Sequence, residues 1–228
     1  MSLILQLETS TSSCSVALSL EGKVIAFEER DEKNIHAAKI TLFIEKVMAD
    51  AAKSMNDLDA IAVSKGPGSY TGLRIGVSVA KGLCFALDIP LIAVDTLQSM
   101  TKGIIALNVY DQDTLFCPMI DARRMEVYTA LYNSELEEIL PVEAKIIDEH
   151  AFEEVLEKKP IVFFGDGASK CKAVLADNKN AHFYAEFSNS AKHMSAAAYS
   201  KFRSRQFEDT AYFEPFYLKD FLILPPKK

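Results

Sequence analysis

Apolar and polar positions change period along this chain, and each change marks an element. Leu3–Leu7 is a continuous apolar run, the pattern of a buried strand. After the polar stretch Glu8–Ser13, residues 14–20 alternate serine with apolar side chains, and Glu21-Gly22 turns the chain into a third strand over Lys23–Glu29. The period then becomes helical: Ile40, Phe43, Ile44, Val47, Met48 and Ala51 fall at i, i+3, i+4, i+7, i+8 and i+11, predicting a helix from His36 to Lys53. Strands follow at Leu58–Ser64 and Leu91–Val94, with helices over 72–87 and Thr96–Ala106.

The same order then begins again. Leu115–Ile120 and Met125–Tyr132 read as strands around a polar turn at Asp121–Arg124, and Glu135–Val142 as a turn and third strand. Asp148–Lys158 is amphipathic, Ile161–Phe164 is apolar, and Ser169–Ala176, Ala181–Tyr184 and Met194–Phe207 read as helix, strand and helix. Both halves therefore read β-β-β-α-β-α-β-α, an internal repeat in element order rather than in identity. The expectation is an α/β protein of two duplicated lobes, 1–108 and 109–228, each a mixed sheet with helices. Right-handed crossovers bring the strand-end turns to the same end of each sheet. That places Glu8, Gly66, Gly68, Asp121, Gly165 and Gly167 along a cleft.

The stretch from Val63 to Gly82 is the most distinctive. Gly66, Gly68 and Gly72 sit between a strand and a helix, Ser69 or Thr71 can cap that helix, and helix N-termini attract anions. Leu73 and Arg74 stand where a Walker loop needs Lys and Ser/Thr, so this is not that motif. A structural turn and a ligand-proximal loop both remain open on local chemistry. The following helix is apolar nearly all round, with Gly72, Gly76 and Ala80 spaced for close approach. The helices over 36–53 and 72–87 carry more apolar surface than one sheet face uses. They are expected to form an association surface with Leu42, Ala49, Leu73, Gly76 and Val77 as contacts. On that expectation, Gly76→Glu spares the fold and breaks association.

Composition narrows the function classes. The 228 residues are 49% hydrophobic, with a net charge of −7 that disfavours autonomous nucleic-acid binding. No apolar run reaches the ~18 residues of a membrane span. The N-terminus lacks a signal-peptide pattern, and the four separated cysteines read as buried thiols of a reducing cytoplasm. The acidic block from Glu135 to Glu157 reads as a solvated face. His36 has Ile40 at i+4, His150, His182 and His193 are isolated, and H-E-x-x-H and G-x-S-x-G are absent, so no metal site or protease chemistry is expected. Glu8 and Asp121 are the carboxylates that a kinase or ATPase would use on Mg²⁺, and Arg123 is placed to clamp either of them. Glu214–Leu218 forms an apolar tail segment expected to pack on the chain's own lobes, ahead of Pro225-Pro226-Lys227-Lys228.

Several motifs together resemble one family. They are Glu8-Thr9-Ser10-Thr11, the run from Gly66 to Gly76 (G-P-G-S-Y-T-G-L-R-I-G), Asp121-Ala122-Arg123 with Glu126-Val127-Tyr128, and Glu214–Leu218. These are similar to the TsaB (YeaZ) family, in the actin-like ATPase superfamily with its RNase H-like lobes. Glu8 stands where that family more often has Asp. The resemblance implies a non-catalytic relative of TsaD, the subunit that transfers a threonylcarbamoyl group to the adenosine beside the anticodon of certain tRNAs. It also implies TsaD-like and TsaE-like partners, a homodimer when alone, tRNA met only through the complex, and no catalytic residue of its own. No cofactor is required on this reading, with ATP or ADP accommodated at the cleft or a partner interface.

Overall fold

The computed structural model describes residues 1–32 and 34–219; the Pro225–Lys228 stretch lies outside them. The first lobe begins with a meander, β1 (Leu3–Glu8), β2 (Ser13–Leu20) and β3 (Lys23–Asp31). At the β2–β3 hairpin Glu21 and Gly22 both take positive φ, 51° and 78°, which matches the twist of paired strands. Helix α1 (His36–Asp50) follows, then β4 (Ala60–Gly66), α2 (Tyr70–Leu87), β5 (Leu91–Asp95) and α3 (Thr96–Ile105). Helix α1 stops short of the expected Lys53 because Ala52 turns left-handed (φ 51°). Ser69 caps α2, its hydroxyl accepting from the Gly72 N–H, and α2 ends where Asp88 takes φ 53°.

The second lobe repeats the order: β6 (Leu115–Asp121), β7 (Glu126–Tyr132), β8 (Glu138–Ile146), α4 (Glu153–Leu156), β9 (Ile161–Phe164), α5 (Ala168–Leu175), β10 (Ala181–Tyr184) and α6 (Ser195–Arg203). The sheets run β3-β2-β1-β4-β5 and β8-β7-β6-β9-β10, so each strand has its counterpart at the same position. Each sheet is mixed, with two antiparallel pairs in the meander and two parallel pairs beyond it. The helix expected over Asp148–Lys158 is only one turn. Phe152 sits at its start with φ 65° and packs its ring 5.5 Å from that of Phe163, so the backbone bends to bring this side chain into the core.

The central strands of each sheet are buried on both faces, whereas the edge strands β3 and β8 are exposed or half-buried. In the first lobe Leu5, Leu7, Val16 and Ile61 pack under α1 and α2. Ile4, Ala62, Ile92 and Val94, on the opposite face, meet Met194 and Ala198 of the α6 region. In the second lobe Cys117, Met119 and Phe163 face α4 and α5, while Phe116, Ile120 and Phe164 face Leu97, Met100 and Ile104 of α3. The halves therefore exchange their last helices: α3 covers the second sheet and α6 returns to the first. Full burial of such side chains contributes about 1.5–3 kcal/mol each, so the exchange ties the lobes through core packing. The acidic residues of the 135–157 block are exposed except for half-buried Glu143.

Candidate functional site

The two meanders end on one cleft. On the first-lobe side, β1 delivers Glu8 into a fully buried position. Its Oε1 accepts from the Ser10 N–H at 2.7 Å and the Ser64 hydroxyl at 2.9 Å. Oε2 has no partner among the described residues, and burial pushes the carboxyl above its ordinary range despite those hydrogen bonds. Glu8 thus lies beneath the cleft floor.

The glycine stretch packs directly on the Thr9–Ser10 turn. A Cβ at Gly68 would lie 2.4 Å from the Ser10 carbonyl oxygen, at Gly72 2.0 Å from that of Thr9, and at Gly76 2.2 Å from Thr9 Oγ1. Gly66 takes φ 111° and leaves no room beside the Phe216 carbonyl. These glycines let the chain approach itself. The consequence corrects the expected interface: Leu73 and Val77 are buried in the first core and Gly76 abuts Thr9, so none of the three faces a partner. Leu42 and Ala49 do face outward. The expectation that Gly76→Glu spares the fold falls with this packing.

On the second-lobe side, Asp121 ends β6. Its Oδ1 accepts from the Arg123 N–H at 2.7 Å and pairs with Lys170, which also donates to the Glu126 carbonyl. Asp166, between Gly165 and Gly167, accepts from the Asp121 N–H at 3.0 Å. Asp166 is solvent-exposed, yet partial desolvation among the cleft walls, with the charges of Asp121 and Asp31 adding, shifts its carboxyl upward. Gly165 (φ 99°) and Gly167 fit this turn against the Met119 and Ile120 backbone. Arg123 clamps neither Glu8 nor Asp121: Asp121 holds its backbone, and its exposed guanidinium has no ion pair among the described residues.

Between the lobes lies a cavity of about 310 Å³ lined by Ser10, Thr11, His36, Thr71, Asp121 and Asp166. Of the residues expected at the cleft, only Asp121 lines it; Glu8 is buried beneath, and Gly66 lies against the Phe216 carbonyl of the tail. His36 and Asp166 are the additions. The His36 ring is buried and its Nε2 is without a partner among the described residues. A lone histidine carries no spacing signal, whereas the Gly165-Asp166-Gly167 turn was visible as a strand-end counterpart of the first glycine loop. No three His, Cys, Asp or Glu side chains among the described residues come together to hold a metal. No helix among them is long and apolar enough to cross a membrane.

The tail borders the site. Lys81 donates to the carbonyls of Ala211 and Phe213, both at 3.1 Å, and Phe216 N–H donates to the Lys65 carbonyl at 2.7 Å. Tyr217 rests on Tyr70 with ring centroids 4.6 Å apart. Lys219 then reaches the second lobe and pairs with Glu126. The tail packs on the chain's own lobes, as the sequence suggested.

Comparison with known proteins adds lineage. A family model described as TsaD, tRNA N6-adenosine threonylcarbamoyltransferase, matches residues 30–222. The Bacillus subtilis tRNA threonylcarbamoyladenosine biosynthesis protein TsaB is 37% identical over 179 residues, 76% of this chain and 75% of the relative. Its Escherichia coli namesake is 37% identical over 132 residues, 58% of this chain and 55% of that protein. A crystal structure of a Pseudomonas aeruginosa protein with similarity to peptidase YEAZ superposes with a TM-score of 0.81 at 26% identity, covering 96% of this chain and all of that one (100%). The Clostridium difficile activator of 2-hydroxyisocaproyl-CoA dehydratase, with bound ADPNP, shares the fold at a TM-score of 0.51 and 8% identity, over 90% of this chain and 95% of that one.

Proposed function

The chain belongs to the TsaB (YeaZ) family of the actin-like ATPase superfamily, and from that premise we propose that it is a non-catalytic partner protein in tRNA threonylcarbamoyladenosine biosynthesis, supporting a TsaD-like subunit that performs the transfer. The observation that carries this reading is the outward side of α1 and α2. Phe85 is 87% exposed and Leu42 49%, and Ala49, Gly82 and Ala86 are exposed too, on helices whose inner faces fill the first core. Apolar surface of this kind, on two helices packed side by side, suits an association face.

A TsaD-like chain has related helices, so it docks on α1 and α2 in near-two-fold fashion; alone, a second copy of this chain takes that place as a homodimer. The two occupants exclude each other. A TsaE-like ATPase joins the pair, tRNA meets the chain only through the complex, and the work takes place in the cytoplasm, where the four buried free thiols stay reduced. The non-catalytic part is supported by Asp121, whose carboxylate in the cleft is paired to Lys170, and by Glu8, which is buried beneath the cleft and accepts from Ser10 and Ser64. The test is co-purification with TsaD-like and TsaE-like proteins, followed by tRNA modification with each component omitted. Modification at full rate without this chain, or failure to capture the TsaD-like protein, overturns the reading.

A second reading rests on the interlobe cavity of about 310 Å³: ATP or ADP occupies it, or sits at the partner interface, with phosphotransfer or ATPase activity as the catalytic alternative. Thermal shift with ATP or ADP, with and without Mg²⁺, tests it, since a ligand of the native state raises apparent stability. Unchanged melting removes this reading.

A further inference from the structure

The turn after β6 holds Arg123 and Arg124 at successive positive φ values, 71° and 50°. That conformation suits Gly or Asn; for arginine it is unfavourable. Asp121 and the hydrogen bonds between residues 122, 123 and 126 impose the turn through the backbone alone. The arginine side chains are therefore not what makes the turn, and both are exposed with no ion pair among the described residues. Arg74, on the exposed side of α2, is likewise without one, and it lines a cavity of about 360 Å³ with Tyr70, Lys81, Glu214 and Tyr217.

The tail connects these two places. Tyr217 rests on Tyr70 and feels the charge of Arg74. Two residues further, Lys219 pairs with Glu126, and Lys219 and Arg123 both act electrostatically on Tyr128. The carboxylates nearby are Glu214 in the cavity, Glu126, which is paired to Lys219, Asp121, which is paired to Lys170, and Asp166, which is exposed and accepts from the Asp121 N–H on the cleft side of the turn. In a chain of net charge −7, three uncommitted guanidinium groups beside stacked tyrosines stand apart. Guanidinium forks match phosphate oxygens, and tyrosine faces match bases.

We infer that this tail-bordered face, with Arg74, Arg123 and Arg124 on phosphates and Tyr217 beneath a base, is where the chain contacts RNA once the complex has formed. The inference rests on the partner reading above and deepens it by naming the surface that meets tRNA.

The test titrates an unmodified tRNA transcript, bearing adenosine beside its anticodon, onto the chain in complex with its TsaD-like partner. Two variants are compared with the parent: Arg123→Gly with Arg124→Gly, which removes both side chains while easing the positive-φ backbone, and the same pair combined with Arg74→Gln. Expected is a loss of affinity of about tenfold for the triple variant. The log–log salt slope should be shallower by about 0.7–0.9 for each lost phosphate contact. Partner capture and melting temperature should be unchanged, and Lys at 123 and 124 should restore most of the affinity. Unchanged RNA affinity and salt slope overturn the inference. So does a loss of partner affinity with RNA binding intact, which would make the face a site for an acidic protein surface. If no complex forms, the partner reading fails and this inference falls with it; if the complex forms but its RNA affinity and salt slope do not depend on these arginines, this inference alone is overturned.

Discussion

The two lobes carry the same five-strand order but differ in their helical covers. The first has α1 and α2 of 15 and 18 residues, with Phe85 and Leu42 left outside. In the second the equivalents, α4 and α5, are 4 and 8 residues long; α4 exposes Glu153 and Glu154, and α5 exposes Lys172. Sheets in a duplicated fold are constrained on both faces, so their order and register persist. Helices are constrained on one face only, and the other is free to diverge. Here the first lobe carries the broader apolar exterior, and the second has the shorter helices.

The strand-end turns differ in the same way. In the first lobe Gly68, Gly72 and Gly76 meet the turn after β1. The largest expected effect tests this contact. Gly72→Val places side-chain atoms where a Cβ already falls 2.0 Å from the Thr9 carbonyl oxygen. It should cost about 3 kcal/mol or more, and Gly76→Glu should be comparably damaging. Denaturant titration checks both; a loss under about 1 kcal/mol for either would mean that the first-lobe turn yields as readily as an ordinary surface loop.

The joint between the lobes responds next. His193 is stacked on Phe187 at 5.3 Å, and its ring would collide with a Cβ at Gly103 of α3. Burial, with help from Lys192, holds its pKa down from 6.5 to about 4. The folded state therefore binds fewer protons than the unfolded chain between those values. The stability from neutral His193 is fully present above pH 6.5 and is lost as pH falls toward about 4, an effect on the order of 3 kcal/mol. His193→Gln should flatten that acid limb of the stability profile. An unchanged limb would exclude His193 from the pH dependence of the joint.

The exteriors of the two lobes are distinguished by binding. Phe85→Glu should leave stability within about 0.5 kcal/mol and weaken self-association and TsaD-like partner binding by about 2 kcal/mol, read by light scattering and calorimetry. A matching charge at Ile146, 69% exposed on the second lobe, should leave both unchanged. If Ile146→Glu is the variant that weakens partner binding, the association face belongs to the second lobe.

The smallest effect separates the glycines within α2. Gly82 has nothing within 4 Å of a Cβ, so Gly82→Ala should stabilise by about 0.5–1 kcal/mol, seen as a small rise in melting temperature. Destabilisation would show that α2 is crowded along its whole length.

Much was determined by the sequence alone. The alternation of 14–20, the helical spacing from Ile40 to Ala51 and the recurrence of β-β-β-α-β-α-β-α follow from local periodicity, and local periodicity is what strands and helices obey. The polar and glycine turns expected after β1, β4, β6 and β9 do lie at those strand ends. Tertiary structure decided the rest. The exchange of α3 and α6 was hidden because an amphipathic helix does not name the sheet it covers. The inward direction of Leu73, Gly76 and Val77 was hidden because α2 is apolar nearly all round, so its phase had no signature until the Thr9–Ser10 turn was seen against it. The seclusion of Glu8 and the exposure of Arg123 depend on which backbone groups reach Ser10 and Asp121. Such contacts join residues distant in the chain, and their geometry exists only once the two lobes have packed.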